Sequence, residues 1–234
     1  MDDKQALVTG GSSGIGRAIV QRLAADGYHV TFTWNQNESA AKSLEYATAI
    51  QADLRTVLGI DQFLDRVKGN SFDVVVNNAT TGTEISPIAT TALEAWQEQL
   101  TIGVTAPFML IKELGPLMPA GASIINISSL NTRIPQPGIA GYCAAKPALE
   151  SLTQVAAKEF APQEVTVNAL RPGPTDTPGN HAVNPDPAVR EQIAAMIPLG
   201  RYGQPEDVAN VVSFLASTDA RWVTGQVLSV SGGL

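Results

Sequence analysis

Seven short apolar runs recur along the chain, rich in Val, Ile and Thr: Ala6–Thr9, His29–Trp34, Ala47–Ala52, Asp73–Asn77, Ser123–Ile127, Val165–Leu170 and Gln226–Val230. Most are apolar throughout and do not alternate, the pattern of parallel strands covered on both faces. Longer helical patterns lie between them, at Ile15–Ala25, Val57–Val67, Leu93–Leu114, Cys143–Phe160 and Asp207–Ala216. Such alternation predicts one α/β domain over residues 1–234, a doubly wound parallel sheet with helices on both faces. With 44% hydrophobic and 16% charged residues, the chain can bury that core. One stretch reads as irregular, Arg171–Pro187, with five prolines and two glycines. A connection of that length is expected to be functional, and residues 171–200 are expected to cover a substrate.

Ligands of an open parallel sheet bind beyond the carboxyl ends of its strands. The turn after the first strand is Thr-Gly-Gly-Ser-Ser-Gly-Ile-Gly, Thr9–Gly16, and a helical pattern follows it. A phosphate group there would face the free N–H groups of a helix N-terminus. Gly10 permits the tight turn, Gly14 a close backbone approach, and Gly16 the packing of helix on strand. The net charge of −7 argues against nucleic acid and against an anionic membrane surface as partner. Cys143 is the single cysteine, which excludes a disulfide framework and suits a reducing compartment. No uninterrupted apolar run reaches the ~18 residues of a membrane helix. Met1-Asp2-Asp3-Lys4 leads straight into a strand with no secretory pattern, so a cytoplasmic location is expected. No metal-ligand cluster is visible.

The glycine spacing resembles the TGxxxGxG signature of the short-chain dehydrogenase/reductase family, and the resemblance extends across nearly the whole chain. Asn77-Asn78-Ala79 is similar to the NNAG motif after the fourth strand. Ser129 stands thirteen residues before Tyr142, and Tyr142-Cys-Ala-Ala-Lys146 resembles YxxxK. Arg171-Pro172-Gly173 and Thr177 resemble the segment over the nicotinamide. Pro198–Arg201, Pro205–Asp207 and Thr224–Gln226 resemble C-terminal landmarks. The resemblance implies a Rossmann-type fold with about seven strands and, as catalytic residues, Ser129, Tyr142 and Lys146. It implies cofactor contacts from Gly10, Ser12, Ser13, Gly14, Ile15 and Gly16, then Trp34 and Asn35, Asp53 and Leu54, Asn78 and Ala79. Tyr142, Lys146, Pro172, Gly173, Thr175 and Thr177 complete that set. Relatives are commonly tetramers, so a homotetramer or homodimer is expected. The unbroken apolar run Phe108–Ile111 and the apolar chain end support contact on two sides.

The residue chemistry agrees with this resemblance. Reduction of a ketone needs a hydride on carbon and a proton on oxygen, and a nicotinamide supplies the hydride. Tyr142 is the candidate acid. A free phenol, with a pKa near ~10, is a poor proton shuttle at neutral pH. Lys146 lies one helical turn later on the same face, where its charge would lower that pKa and its ammonium could hold the cofactor ribose. Ser129 would donate a hydrogen bond to the substrate oxygen, with Ser128 as a local neighbour. Expected pocket walls are Thr80–Pro87, Leu130–Gly141 and Pro174–Met196, around a small carbonyl or alcohol.

Two positions depart from the family pattern. Gly103 stands where an asparagine of the proton relay is usual, which implies either a helix kink or an impaired relay. Thr80 replaces a glycine and brings a side chain near the cofactor or the substrate entrance. Cofactor choice rests on Val30–Asn37, where no acid would repel a 2′-phosphate and Trp34 takes the place of Asp. NADP(H) is therefore favoured and NAD(H) remains possible, since Ser13 and Asn35 hold the positions where a cation often binds the phosphate. Asp53 reads either as the adenine contact or as a helix N-cap. Cys143 and His29 read as structural or surface residues, and His181 as a candidate substrate contact. The expected function is an NADP(H)-dependent ketoreductase. The alternatives are an NAD-dependent alcohol dehydrogenase and a non-catalytic dinucleotide-sensing regulator. A halohydrin-dehalogenase-like reading expects arginine at Lys146 and a degraded glycine loop, and meets neither.

Overall fold

A computed structural model describes residues 4–82 and 85–234. The opening residues Met1–Asp3, and Thr83 and Glu84 of the expected pocket wall, lie outside them. Seven parallel strands form one sheet in the order β3-β2-β1-β4-β5-β6-β7. They are β1 (Gln5–Val8), β2 (His29–Trp34), β3 (Thr48–Gln51), β4 (Val74–Asn77), β5 (Ser123–Ile127), β6 (Thr166–Pro172) and β7 (Val227–Val230). All seven expected runs are strands; two match end for end, and the others shift by one or two residues at one or both ends. The strand order reverses between β1 and β4, which opens a crevice at their carboxyl ends.

Successive residues of each strand serve different cores, which explains the unbroken apolar runs. Ala6, Val8, Val74, Val76, Ile125 and Leu170 pack on one face against α1 (Gly14–Ala25) and α9 (Pro205–Ala216). Leu7, Val75, Ile124 and Val167 pack on the other, against α3 (Val57–Val67), α5 (Ala106–Leu114) and α6 (Ala140–Phe160). Both faces are thus mostly apolar, and the polar side chains within them are paired with one another or with backbone.

The helices depart from expectation in three places. The pattern Leu93–Leu114 is not one regular helix: a π-helical turn, Thr101–Thr105, separates α4 (Leu93–Leu100) from α5. By length and mean hydropathy the stretch Leu93–Leu117 could cross a membrane, although no run in it is uninterrupted. Here its residues Ile102, Ala106, Leu110, Ile111 and Leu114 are buried in the core. Arg171–Pro187 is not irregular throughout. It holds the end of β6 and α7 (Pro178–Val183), and α8 (Pro187–Met196) begins at its last residue. Each of these helices has an oxygen-bearing N-cap followed by proline at the first helical position. The Thr177 hydroxyl accepts from Asn180 N and the Asp186 carboxylate from Ala188 N. The short α2 (Glu38–Lys42), capped by Asn37, had no expectation.

A buried polar chain ties the sheet to α6. Asn77 Nδ2 donates to Asn126 Oδ1 at 2.8 Å, Asn126 Nδ2 donates to Thr153 Oγ1 at 2.8 Å, and the Thr153 hydroxyl donates to Leu149 O. All three side chains are at most 4% exposed. Removing one member leaves its partner buried and unpaired. Thr153→Val keeps the shape and orphans the Asn126 amide. Urea titration should show a loss of about 1–3 kcal/mol in unfolding free energy, with the far-ultraviolet dichroism of the folded state unchanged.

Candidate active site

At the carboxyl ends of β1, β2 and β4 the chain surrounds a groove of about 440 Å³. Its floor is the glycine turn, held in place by the neighbouring strands. Gly10 N donates to Thr33 Oγ1 and Gly11 N to Thr33 O, both at 2.9 Å. Asn78 Nδ2 donates to the carbonyls of Thr9 and Gly10, while Thr9 Oγ1 accepts from the amides of Asn78 and Ala79. A Cβ on Gly16 would lie 2.1 Å from Gly10 O, so only glycine allows this contact. Ser13 caps α1 with an extended backbone but makes no side-chain capping bond. The first-turn amides of α1 are thus left for an anion, and the residues present fit the phosphates of a dinucleotide.

Gly10, Ser12, Ser13, Gly14, Ile15, Gly16, Trp34, Asn35, Leu54, Asn78, Ala79 and Thr177 line the groove, as does Thr80. Asn37, expected with Ser12 and Asn35 as a neutral donor to a 2′-phosphate, lines it too; Gln36 and Arg55 also do and were missed, because nothing in their spacing marks them. The end near β2 is neutral. Arg17 turns away to Ala40 O and Ser43 Oγ, at 3.1 and 3.0 Å. Arg55 grips Asp53 with two hydrogen bonds of 2.9 and 2.8 Å, which hold the Asp53 carboxyl below its ordinary range. Asp53 is not a groove residue here, nor is it the N-cap of α3: Thr56 fills that position, its hydroxyl accepting from Gly59 N at 3.0 Å. Pro172, Gly173 and Thr175 also stand outside the groove. Thr175 is buried, its hydroxyl donating to Gly173 O, and the chain then leads to Thr177, Pro178 and Gly179, which line the groove over the turn.

Tyr142 and Lys146 occupy one face of α6, and Ser129 arrives from the end of β5. Lys146 is 4% exposed; its ammonium donates to Ile127 O at 2.8 Å and lies 5.4 Å from the centre of the Tyr142 ring. Burial lowers its pKa to about 8. The expected lowering of the Tyr142 pKa by Lys146 is not met: burial holds the phenol above its ordinary value, and the neighbouring Ser129 hydroxyl opposes that rise without cancelling it. Tyr142 also forms part of the wall of a second cavity of about 190 Å³, joined to the groove at Thr81 and Gly82. Gln99 sits at that junction, its amide donating to Thr81 Oγ1. Within α6, Pro147 withholds the amide that Cys143 O would otherwise accept.

Gly103 falls in the π-helical turn, and a Cβ there would stand 2.8 Å from Ala145 Cβ. The glycine therefore lets α6 approach closely, at a point where the helix widens into a π turn. His181 does not reach into the groove; its ring nitrogen pairs with Asp176 Oδ1 at 2.5 Å, beside Arg190 at 2.6 Å. Glu150 was not singled out from the sequence. It is 8% exposed, accepts from Ser128 Oγ at 2.7 Å and is gripped by Arg171 Nε and NH2 at 2.7 and 2.5 Å. Its spacing, one turn after Lys146, was the available signal. Among the described residues no cluster of His, Cys, Asp or Glu forms a metal site.

The family model described as enoyl-(acyl carrier protein) reductase matches residues 10–234. The cyclic-di-GMP-binding biofilm dispersal mediator protein of Escherichia coli K12 is 36% identical over 235 residues, 98% of this chain and 96% of that protein. The 3-oxoacyl-[acyl-carrier-protein] reductase of a Synechocystis species is 38% identical over 242 residues, covering 98% and 96%. A blue fluorescent protein from a metagenomic library, solved in complex with NADPH, superposes with a TM-score of 0.91 at 37% identity, covering 98% and 97%. On the sheet order, the glycine turn and these matches along its length, the chain belongs to the short-chain dehydrogenase/reductase family.

Proposed function

We propose that the chain is an NADP(H)-dependent oxidoreductase that interconverts a carbonyl and a secondary alcohol, with Ser129, Tyr142 and Lys146 as its catalytic residues. The observation that carries this is the Tyr142 phenol, in the wall of the second cavity and beside the Ser129 hydroxyl, with a buried ammonium one helical turn along α6. NADP(H), when bound, supplies or accepts the hydride. Tyr142 gives its proton to the substrate oxygen during reduction and takes it back during oxidation. Ser129 donates to the same oxygen and stabilises charge as it develops there. Lys146 holds the ribose, its ammonium kept on the phenol's side of α6 by the Ile127 carbonyl. Gly10, Ser12, Ser13, Gly14, Ile15 and Gly16 hold the phosphates, and Trp34, Asn35 and Leu54 hold the adenosine end. Asn78 braces the turn, while Pro172, Gly173 and Thr175 carry Thr177 over the groove.

The reductases and the NADPH complex among its relatives support this reading. A second reading, a sensor of dinucleotides, is favoured by the relative whose name states cyclic-di-GMP binding. One experiment separates the two: NADPH consumption across a panel of ketones, β-ketoesters and diketones, beside direct binding of cyclic-di-GMP. Catalysis predicts turnover by the wild type and a loss in kcat of ~10²-fold or more in Tyr142→Phe, with NADPH affinity nearly unchanged. A chain that binds cyclic-di-GMP and turns over no carbonyl is the sensor.

Trp34 and the neutral residues beside it leave the 2′-phosphate unopposed by any carboxylate. Wild-type kcat/KM should be higher with NADPH than with NADH. Trp34→Asp should reverse or narrow that ratio by placing a negative charge at the phosphate. Higher efficiency of the wild type with NADH would refute this assignment.

A cytoplasmic homodimer or homotetramer fits the exposed apolar residues. Phe108 on α5, Leu117 just beyond it and Val155 on α6 are each 49% exposed on elements that otherwise face the core. Light scattering at micromolar concentration should give a multiple of 24.6 kDa; a mass of one chain would rule assembly out.

A further inference from the structure

The catalytic assignment makes no use of Glu150, although it is the most deeply buried carboxylate near the site. It lies on the face of α6 that carries Tyr142 and Lys146, eight and four residues further along. One oxygen, Oε1, accepts both Ser128 Oγ and Arg171 Nε at 2.7 Å, and Oε2 accepts Arg171 NH2 at 2.5 Å. Ser128 is followed by Ser129, and Arg171 by Pro172–Thr175, which lead into the segment over the groove. A single carboxylate therefore touches the end of β5, the middle of α6 and the end of β6.

We infer that Glu150 is a positioning residue. It fixes the Ser129 hydroxyl relative to Tyr142 by holding Ser128 to the helix that bears the phenol. The inference rests on the catalytic assignment of Ser129 and Tyr142. Its physical basis is lever length. Ser129 is only half-buried, and its oxygen otherwise accepts one long local bond, 3.2 Å from Asn131 N. What locates it is the residue before it, whose amide donates to Leu170 O at 2.7 Å and whose side chain is pinned to Glu150. The Arg171 pair keeps the carboxylate ionised. Burial alone would raise its pKa, but the hydrogen bonds from Arg171 and Ser128 bring it below the ordinary value. An anion with two fixed partners cannot rotate, so the serine cannot drift. Stability alone is a weak reason for such a pair, since a buried ion pair often does no better than apolar residues of the same volume.

The test reads Tyr142 directly. Its ionisation is isolated as the tyrosinate absorbance present in wild type and absent from Tyr142→Phe, and kcat is measured with a carbonyl that the wild type reduces. Ser128→Ala removes one bond and leaves the Glu150–Arg171 pair whole. Glu150→Gln keeps the shape but cannot accept both Arg171 bonds as an anion. Each should raise the Tyr142 pKa by about 0.5 unit or more and lower kcat by about tenfold, with NADPH affinity within about twofold. In a Ser129→Ala background neither substitution should add to the loss, because the effect passes through Ser129. A purely structural pair would give additive losses and an unmoved Tyr142. If Glu150→Gln does not fold, Ser128→Ala decides alone. Wild-type titration and turnover in the folded variants, while Ser129→Ala is impaired, would overturn the inference and leave the catalytic assignment standing. Wild-type behaviour of Ser129→Ala would overturn both.

Discussion

The seating of α6 on the sheet governs the rest of the site. The helix meets β5 and β6 through a polar face with a buried contact at nearly every turn: Lys146 to Ile127 O, Glu150 to Ser128 and Arg171, Thr153 to Asn126. Each is satisfied only in one register, because a shift of the helix would strand several polar groups in a dry interior. Gly103 across the helix allows the close approach on which that register depends, and the π turn adjusts α4 and α5 to it. Tyr142 lies at the end of this face, so its position is inherited from contacts well removed from the reacting atoms.

The same division of labour appears at the cofactor end. The turn is shaped by backbone contacts that exclude side chains, and Thr9, Thr33 and Asn78 lock it to three strands. What remains free is a set of amides at the start of α1, whose dipoles suit an anion without a formal charge. Recognition at the β2 end follows the same logic, with hydroxyls, amides and an indole in place of a cation. An acidic chain that binds a polyanion in this way relies on close fit more than on long-range attraction.

Over the groove, the covering segment is organised around Asp176. His181 on α7 and Arg190 on α8 converge on its carboxylate, and Arg190 also lies 4.9 Å from the centre of the Tyr202 ring. These contacts join two short helices that bury none of their own residues fully. The segment is therefore held by polar and cation–π contacts at its base, with little apolar burial of its own.

The alternation of apolar runs and helical patterns determined the parallel sheet, since a strand buried on both faces has no polar position to spare. The spacing of Gly10, Gly14 and Gly16 likewise placed them in the turn that lines the groove, and that of Tyr142 and Lys146 placed them one helical turn apart on α6, because helical and turn geometry convert spacing into direction. Prolines misled the reading of residues 171–187, where Thr177-Pro178 and Asp186-Pro187 were helix starts that local chemistry could have revealed. Other features were decided only by tertiary structure. Arg55 removes Asp53 from the groove, the glycine at 103 answers to Ala145 from another helix, and Glu150 gathers partners from two strands. Each depends on residues distant in sequence that packing brings within hydrogen-bond or van der Waals reach, and no local period records such a meeting.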